Sequence, residues 1–271
     1  MELRGKNAIV TGAARGIGRG IALKLAEAGA NLALVDIGSQ KDPALTYNLA
    51  AQSDLNRTLE EVKRYEGKAV SILADVTKFA DCERMARETA HKLGSVDILV
   101  NNAGIIGVGA VATMSEELWD RIMAVNAKGP FLCAKACIPY LTKNKEGAIV
   151  NIASIAAKAG RATLSAYCAS KFAVVALTQA LAEELGPSNI RVNAICPGFL
   201  RTAMFTDVLN KAIAPALGAG EGEAIDRLAR DNTYLGREQT PADIGEAVVY
   251  LCKADNVTGA SLTVAGGAEV H

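Results

Sequence analysis

The sequence has 271 residues, and its 29 Lys and Arg residues balance its 29 Asp and Glu residues, which gives a formal net charge of zero at pH 7. Because neither sign forms a long run, the composition argues against a nucleic acid or an anionic membrane as a partner. No apolar run reaches the roughly 18 residues of a membrane span and no secretory signal opens the chain, so we expect a cytoplasmic protein.

Seven short β-rich runs alternate with longer segments of helical periodicity. The runs cover residues 7–11, 31–36, 69–74, 96–101, 148–153, 191–196 and 261–264. Such alternation is typical of βαβ units, whose crossovers place helices on both faces of a parallel sheet. The sequence therefore predicts one doubly wound α/β domain over residues 1–271, with about seven mostly parallel strands. Ligands of such sheets bind beyond the carboxyl ends of the strands.

A glycine-rich turn follows the first predicted strand and leads into a helix. It reads Thr11-Gly12-Ala13-Ala14-Arg15-Gly16-Ile17-Gly18. Glycines at these positions allow a tight turn and let the pyrophosphate of a dinucleotide approach the backbone N–H groups at the helix start. The spacing is not the commoner G-x-G-x-x-G, and a glycine-rich turn without a ligand is the alternative.

Asp36 ends the second predicted strand, eighteen residues after Gly18. A carboxylate there accepts hydrogen bonds from the adenosine ribose hydroxyls and repels a 2′-phosphate, which favours NAD over NADP. A turn residue at a strand end is the alternative.

The polar stretch 38–56 delays the next helix and is interpreted as an inserted loop near the adenosine. Leu45, Tyr47 and Leu49 alternate with other residues in this insert. We expect them to form an ordered flap over the adenine.

The third and fourth predicted strands also end in residues suited to a cofactor. Asp75 and Val76 close the third strand, and the Asp75 carboxylate could reach the adenine amino group. Asn101 closes the fourth strand and is followed by Asn102-Ala103-Gly104. These side chains can bridge strands and make room for the cofactor, although a plain turn explains them equally well.

A long helix is predicted over residues 115–144, with Asn126 in its interior. Asn is mildly unfavourable there because its side chain competes for backbone groups, so it needs a structural or functional reason. Cys133 and Cys137 lie one helical turn apart on the same helix. No His or acidic residue accompanies them at ligand spacing, so we expect no metal site.

Ser154 follows the fifth predicted strand, and Tyr167 and Lys171 lie four residues apart on the next predicted helix. Residues with this spacing share one helix face, where the Lys cation would lower the pKa of the Tyr phenol. Tyr167 could then exchange a proton with an alcohol oxygen held by Ser154. Taken alone, the Tyr–Lys pair is more typical of an ordinary amphipathic helix than of a catalytic site.

Pro197 and Gly198 end the sixth predicted strand and open an irregular segment, residues 199–236, that is interpreted as a substrate lid. Met204, Phe205 and Leu209 would be its apolar contacts with a substrate. A gate of this kind excludes water, whereas a peripheral helical hairpin is the alternative. Arg161 and Arg201 could also contact a polyol or an acid.

With these motifs in place, the chain resembles the short-chain dehydrogenase/reductase family over essentially its whole length. The resemblance lies in T-G-x-x-x-G-I-G at 11–18, N-N-A-G at 101–104, Ser154 thirteen residues before Y-x-x-x-K, and P-G at 197–198. It implies a Rossmann fold, a homotetramer built on the two long helices, and a reaction between NAD(P) and a small-molecule alcohol or ketone.

The resemblance also implies residue roles. Tyr167 would be the general acid/base, Lys171 would lower its pKa and bind the nicotinamide ribose, Ser154 would orient the substrate, and Asn126 would hold a water in a proton relay. Thr202 would bond the nicotinamide carboxamide. The other expected cofactor contacts are Gly12, Arg15, Gly16, Ile17, Gly18, Asp36, Asp75, Val76, Asn102, Ala103, Gly104, Pro197 and Gly198.

Two departures from the family pattern concern the electron partner. The insert at 38–56 is longer than usual and resembles that of members that hold NAD tightly and pass electrons to a peptide-derived carrier. Arg15 resembles the arginine of NADPH-dependent 3-oxoacyl-thioester reductases, which are the alternative to an NAD-dependent enzyme acting on a secondary alcohol. A dinucleotide-sensing regulator without catalysis is a second alternative, against which the intact tetrad of Ser154, Asn126, Tyr167 and Lys171 argues.

Overall fold

The computed structural model of the protein describes residues 1–39, 41–210, 214, 218–220 and 222–268. Its strands are β1 Asn7–Thr11, β2 Asn31–Asp36, β3 Ala69–Leu73, β4 Ile98–Asn101, β5 Gly147–Ile152, β6 Ile190–Pro197 and β7 Ser261–Val264. They form one sheet in the order β3-β2-β1-β4-β5-β6-β7, and every neighbouring pair is parallel. This order confirms the predicted doubly wound fold.

The helices alternate with the strands as the sequence predicts. They are α1 Gly16–Glu27, α2 Gln52–Val62, α3 Phe79–Leu93, α4 Glu116–Met123, α5 Gly129–Asn144, α6 Ser165–Leu185, α7 Ala224–Asn232 and α8 Pro241–Lys253. A π-helical turn, Ala124–Lys128, joins α4 to α5, so the predicted long helix is continuous but not uniform. Within the described ranges, no helix is long and apolar enough to cross a membrane.

Alternate residues of each strand enter cores on opposite faces of the sheet. Val10 of β1 packs in a core that contains Leu25 of α1 and Val248 of α8. Its neighbour Ile9 packs in the other core, with Met85 of α3. Burial on both faces explains why the strand sequences are continuously apolar rather than alternating.

The sheet order reverses direction between β1 and β4, which fixes where a ligand can bind. The crossover from β1 leads to β2 on one side, whereas β4 lies on its other side. The connections after the two strands therefore diverge and leave a crevice at their carboxyl ends. The glycine-rich turn and the residues after Asn101 lie at this crevice.

Candidate active site

A cavity of about 920 Å³ runs along the carboxyl ends of the strands. It is lined by nearly all the residues that the sequence singles out, from Gly12, Asp36 and Asp75 to Ser154, Tyr167, Lys171, Pro197, Gly198, Thr202, Met204, Phe205 and Leu209. Arg15, Gly16, Ile17, Gly18, Val76, Asn102, Ala103 and Gly104 complete the predicted set on its wall. Asn126 lies behind the wall and is 1% exposed.

The glycine-rich turn leaves no room for a side chain at Gly18. A Cβ there would lie 2.0 Å from the carbonyl oxygen of Gly12, and Gly12 itself has φ +65°. The start of α1 therefore exposes its backbone to the cavity at the glycines. A helix N-terminus of this kind suits a phosphate group, because its N–H groups and the helix dipole both favour an anion.

Hydrogen bonds of the Asn102 side chain link the end of β4 to this turn. Its Nδ2 donates to the carbonyl oxygens of Thr11 at 2.9 Å and Gly12 at 3.1 Å. The Thr11 hydroxyl in turn accepts from the backbone N–H groups of Asn102 at 3.0 Å and Ala103 at 3.1 Å. These contacts make the Asn-rich segment a bridge between strands, which a plain turn would not provide.

Asp36 ends β2 and lies on the cavity wall. One carboxylate oxygen accepts from the Ala14 N–H at 3.1 Å and the other from the Ile37 N–H at 2.9 Å. Burial raises the pKa of this carboxyl, and these backbone hydrogen bonds oppose the rise. Each carboxylate oxygen has a second lone pair, so Asp36 can accept further hydrogen bonds from a ligand.

Asp75 and Arg15 already have partners within the protein. One oxygen of Asp75 accepts from the backbone N–H of Thr77 at 3.0 Å and from its hydroxyl at 2.7 Å. The guanidinium of Arg15 donates to the Asn48 carbonyl oxygen in the insert, at 2.7 Å. The insert thereby uses one of the five N–H donors of this arginine.

Asn126 lies in the π-helical turn, from which its side chain reaches the loop after β4 and helix α6. Its Oδ1 accepts from the Ile105 N–H at 2.8 Å, and its Nδ2 donates to the Ile105 carbonyl at 2.9 Å. The Nδ2 also donates to the Ser170 hydroxyl at 3.1 Å, which itself donates to the Tyr167 carbonyl at 2.7 Å. Sequence reasoning missed Ser170, because a serine inside a helix carries no distinguishing pattern.

Tyr167 and Lys171 are neighbours on α6, and Lys171 is 5% exposed. The Lys171 Nζ lies 5.7 Å from the centre of the Tyr167 ring and donates to the Ile152 carbonyl at 2.9 Å. Ser154 and Tyr167 both line the cavity, and the Ser154 side chain acts to lower the pKa of the Tyr167 phenol. Both catalytic candidates thus face the carboxyl end of β5.

The protonation of this pair differs from the sequence expectation. Burial raises the pKa of Tyr167 to about 12, although the Ser154 side chain acts in the opposite direction. Burial also lowers the pKa of Lys171 to about 8. The expected decrease in the Tyr167 pKa is therefore wrong, because loss of water around the phenol outweighs the effect of Ser154, which lowers this pKa.

The insert contacts three parts of the cavity wall. Besides the Arg15 contact, Asp42 pairs with Arg121 of α4 at 2.7 Å. The Tyr47 hydroxyl accepts from the Ile106 N–H at 3.1 Å, and Tyr47 itself lines the cavity. Sequence reasoning did not single out Arg121, whose partner lies 79 residues away. The flap over an adenine remains a prediction.

The segment expected to form a lid contains a π-helical turn, Phe205–Leu209, and α7. Arg201 forms ion pairs with Asp226 at 2.7 Å and Glu238 at 3.2 Å. Its guanidinium therefore binds acidic side chains of the protein and does not line the cavity. Arg161 does line the cavity. Positions 211–213, 215–217 and 221 of the expected lid fall outside the described residues. Closure of this segment over a substrate remains a prediction.

The donor set fits a dinucleotide better than a metal ion. In the part of the chain that is described, no three His, Cys, Asp or Glu side chains are grouped to hold a metal. The bare helix start at Gly16, the acceptor Asp36 and the open space beside Gly104 form one continuous surface. A Cβ on Gly104 would lie 3.5 Å from the Lys171 Nζ, so the absence of a side chain keeps the path to Lys171 clear.

Comparisons with known proteins agree with this geometry. The family model described as short chain dehydrogenase matches residues 6–212. The 2-(S)-hydroxypropyl-CoM dehydrogenase 3 of Xanthobacter autotrophicus is 38% identical, over 98% of each chain. The 3-oxoacyl-(acyl-carrier-protein) reductase FabG of Thermotoga maritima is 32% identical, over 98% of this chain and 99% of that protein.

Two solved structures are similar over nearly the whole chain. Carveol dehydrogenase from Mycobacterium avium, in complex with NAD, has a TM-score of 0.94 and 30% identity, and the match covers 98% of each chain. The 3-ketoacyl-(acyl-carrier-protein) reductase from Brucella melitensis, complexed with NADH, has a TM-score of 0.83 and 34% identity. That match covers 99% of this chain and 100% of the other.

Proposed function

The chain belongs to the short-chain dehydrogenase family, and from this membership we propose that it transfers a hydride between NAD(H) and a secondary alcohol or its ketone. It is an oxidoreductase that acts on alcohol or ketone groups. The observation that carries the proposal is the placement of Ser154, Tyr167 and Lys171 together in the cavity that begins at the glycine-rich turn, with Lys171 one helical turn after Tyr167.

Tyr167 is the general acid and base of the proposed reaction. In ketone reduction its phenol donates the proton to the substrate oxygen, and in alcohol oxidation the same oxygen takes the proton back. Ser154 holds the substrate oxygen through its hydroxyl. Bound NAD(H) supplies the acceptor or donor of the hydride at C4 of the nicotinamide. The residues expected to hold it are Asp36 at the ribose, the turn from Gly12 to Gly18 at the pyrophosphate, and Lys171 and Thr202 at the nicotinamide end.

Asn126 and Lys171 are proposed to assist proton movement. Asn126 is held by Ile105 and Ser170, so its orientation is fixed without a ligand. Lys171 is tied to the Ile152 carbonyl and has two further N–H donors for a ribose or a water. A proton that leaves Tyr167 can thereby pass to a water held beside Lys171 and Asn126.

NAD is proposed as the preferred cofactor. Asp36 has free lone pairs for ribose hydroxyls and would repel a 2′-phosphate, whereas Arg15 is bound to the insert. The two neighbouring structures cited above contain NAD and NADH. Reduction of a 3-oxoacyl thioester with NADPH is the second candidate, which Arg15 at the cavity and the similarity to the Thermotoga maritima reductase favour.

A cytoplasmic homotetramer completes the proposal. Phe131 on α5 is 47% exposed and Phe172 on α6 is 44% exposed, so each of the two long helices carries a large apolar side chain suited to contact another subunit. All six cysteines are buried thiols, which is typical of proteins in a reducing compartment.

Tyr167→Phe tests the function. We expect turnover to fall by about 10²-fold or more while NADH binding, followed by fluorescence titration, stays unchanged, because only the acid/base hydroxyl is lost. Activity is measured with NAD and NADP on polyols, hydroxysteroids, cyclic alcohols and 3-hydroxyacyl thioesters. Tyr65→Phe, at an exposed site after α2, is the matched control. A variant with wild-type turnover would remove Tyr167 from the mechanism, and a wild-type protein that binds NADH but oxidises nothing in the panel would favour the sensing regulator.

A further inference from the structure

Tyr47 is held in one place by contacts on both sides of it in the insert. Five residues before it, Asp42 forms an ion pair with Arg121 in which the side chains are only 7% and 23% exposed. Directly after it, the Asn48 carbonyl accepts from Arg15 at 2.7 Å. The half-buried ion pair and the charged hydrogen bond fix the insert across the cavity, and Tyr47 lies between them.

The Tyr47 hydroxyl retains an unused hydrogen. A phenol can donate one hydrogen bond and accept others. Its oxygen accepts from the Ile106 N–H at 3.1 Å, but no acceptor for its own hydrogen lies in the described ranges. Tyr47 is half-buried and lines the cavity, so a ligand that displaces water there can accept this hydrogen.

Tyr47 lies in the cavity that holds the catalytic candidates. It lines the same cavity as Tyr167, and its hydroxyl bonds the N–H of Ile106, the residue after Ile105, which bonds Asn126. The Tyr47 hydroxyl therefore lies on the part of the cavity wall that is held by the tetrad.

We propose that Tyr47 donates a hydrogen bond to a second oxygen of the substrate. This inference rests on the proposed function and narrows its substrate class to secondary alcohols or ketones with a hydroxyl or carbonyl oxygen near the reacting carbon. Much of the surrounding wall is apolar, including Ile106, Val108 and Leu164. A donor on such a wall discriminates between substrates, because a bound substrate without the second oxygen excludes water and leaves the donor unpaired.

The test compares Tyr47→Phe with wild type on paired substrates that differ by one oxygen, such as 1,2-cyclohexanediol and cyclohexanol, or other pairs that wild type oxidises in the panel above. We expect wild type to prefer the oxygenated member. In the variant, kcat/KM for that member falls about fivefold to tenfold, mainly through KM, while kcat/KM for the other member stays within about twofold. Tyr65→Phe is the control for loss of a phenolic hydroxyl elsewhere.

Three results would overturn the inference. Equal losses for both members would show that Tyr47 only positions the insert, and unchanged kinetics for both would show that its hydroxyl contacts no substrate. A loss explained by weaker NADH binding in a direct titration would assign the hydroxyl to the cofactor. Different results refute the proposed function: full turnover in Tyr167→Phe, or no oxidation of any panel member. If no panel member is oxidised, the inference about Tyr47 is refuted together with the proposed function.

Discussion

Lys171→Met should distinguish two effects of the buried Lys171 ammonium: its cost to the stability of the protein and its contribution to turnover. The substitution removes the charge and keeps an unbranched side chain of similar length. It should abolish turnover, because the expected contacts with Tyr167 and the nicotinamide ribose are lost. Its effect on the stability of the ligand-free protein should depend on pH, because burial makes the ammonium of Lys171 unfavourable in the folded state.

The size of the effect follows from the pKa. Burial lowers the pKa of Lys171 from its ordinary value of 10.5 to about 8. With about 1.36 kcal/mol per pKa unit, the ammonium costs the folded state about 3 kcal/mol at pH 7 and about 1 kcal/mol at pH 9.5. The unfolded chain binds more protons between pH 8 and 10.5, so this group makes wild-type stability rise with pH in that window.

The variant does not bury an ammonium and so lacks this pH-dependent cost. It leaves the Ile152 carbonyl without its donor, however, which lowers the stability by about 1–3 kcal/mol at every pH. The stability of the variant relative to wild type should therefore fall by about 2 kcal/mol from pH 7 to pH 9.5. Urea unfolding of both ligand-free proteins at the two pH values measures it, with Lys63→Met, at the end of α2, as the control for removing an exposed lysine. A difference that is constant across pH would refute the lowered pKa.

Three further predictions concern the cofactor and the assembly. Wild type should favour NAD over NADP by at least about tenfold in kcat/KM. Asp36→Ala should narrow or invert this preference, and Arg15→Ala should weaken the use of NADP further. A wild-type enzyme that prefers NADP would show that Asp36 does not face the ribose. Deleting residues 38–53 should raise the NAD dissociation constant in calorimetry, and unaltered affinity would separate the insert from cofactor binding. Phe131→Glu should dissociate the tetramer in analytical ultracentrifugation whereas Tyr65→Glu should not, and a monomeric wild type would contradict the assembly.

The fold was predictable because its signals are local. Each strand is a short continuous apolar run, and burial on both faces requires such runs. The structure confirms all seven strands and their parallel arrangement. Boundaries were less predictable: β4 starts at Ile98 rather than at residue 96, since the Asn7 N–H bonds the side chain of Asp97. A side chain that replaces a strand partner leaves no trace in periodicity.

The candidate site was predictable where spacing along one element sets it. Tyr167 and Lys171 share a helix face, and the glycine positions reflect contacts within a single turn. Contacts between distant segments were not predictable, because they depend on how the insert crosses the cavity. The pair of Asp42 and Arg121 and the contact of Tyr47 with Ile106 both belong to this class.

The charge state of the catalytic pair shows why spacing alone was insufficient. Four-residue spacing brings the ammonium of Lys171 close to the phenol of Tyr167, but the pKa depends on solvent as well as on distance. With a Tyr167 pKa of about 12, on the order of one molecule in 10⁵ carries the phenolate at pH 7, whereas most molecules keep Lys171 charged at a pKa of about 8. A neutral phenol beside an ammonium is a proton donor. The ligand-free site is therefore protonated for ketone reduction, and alcohol oxidation requires contacts that favour the phenolate, of which the one with the Ser154 side chain is already in place.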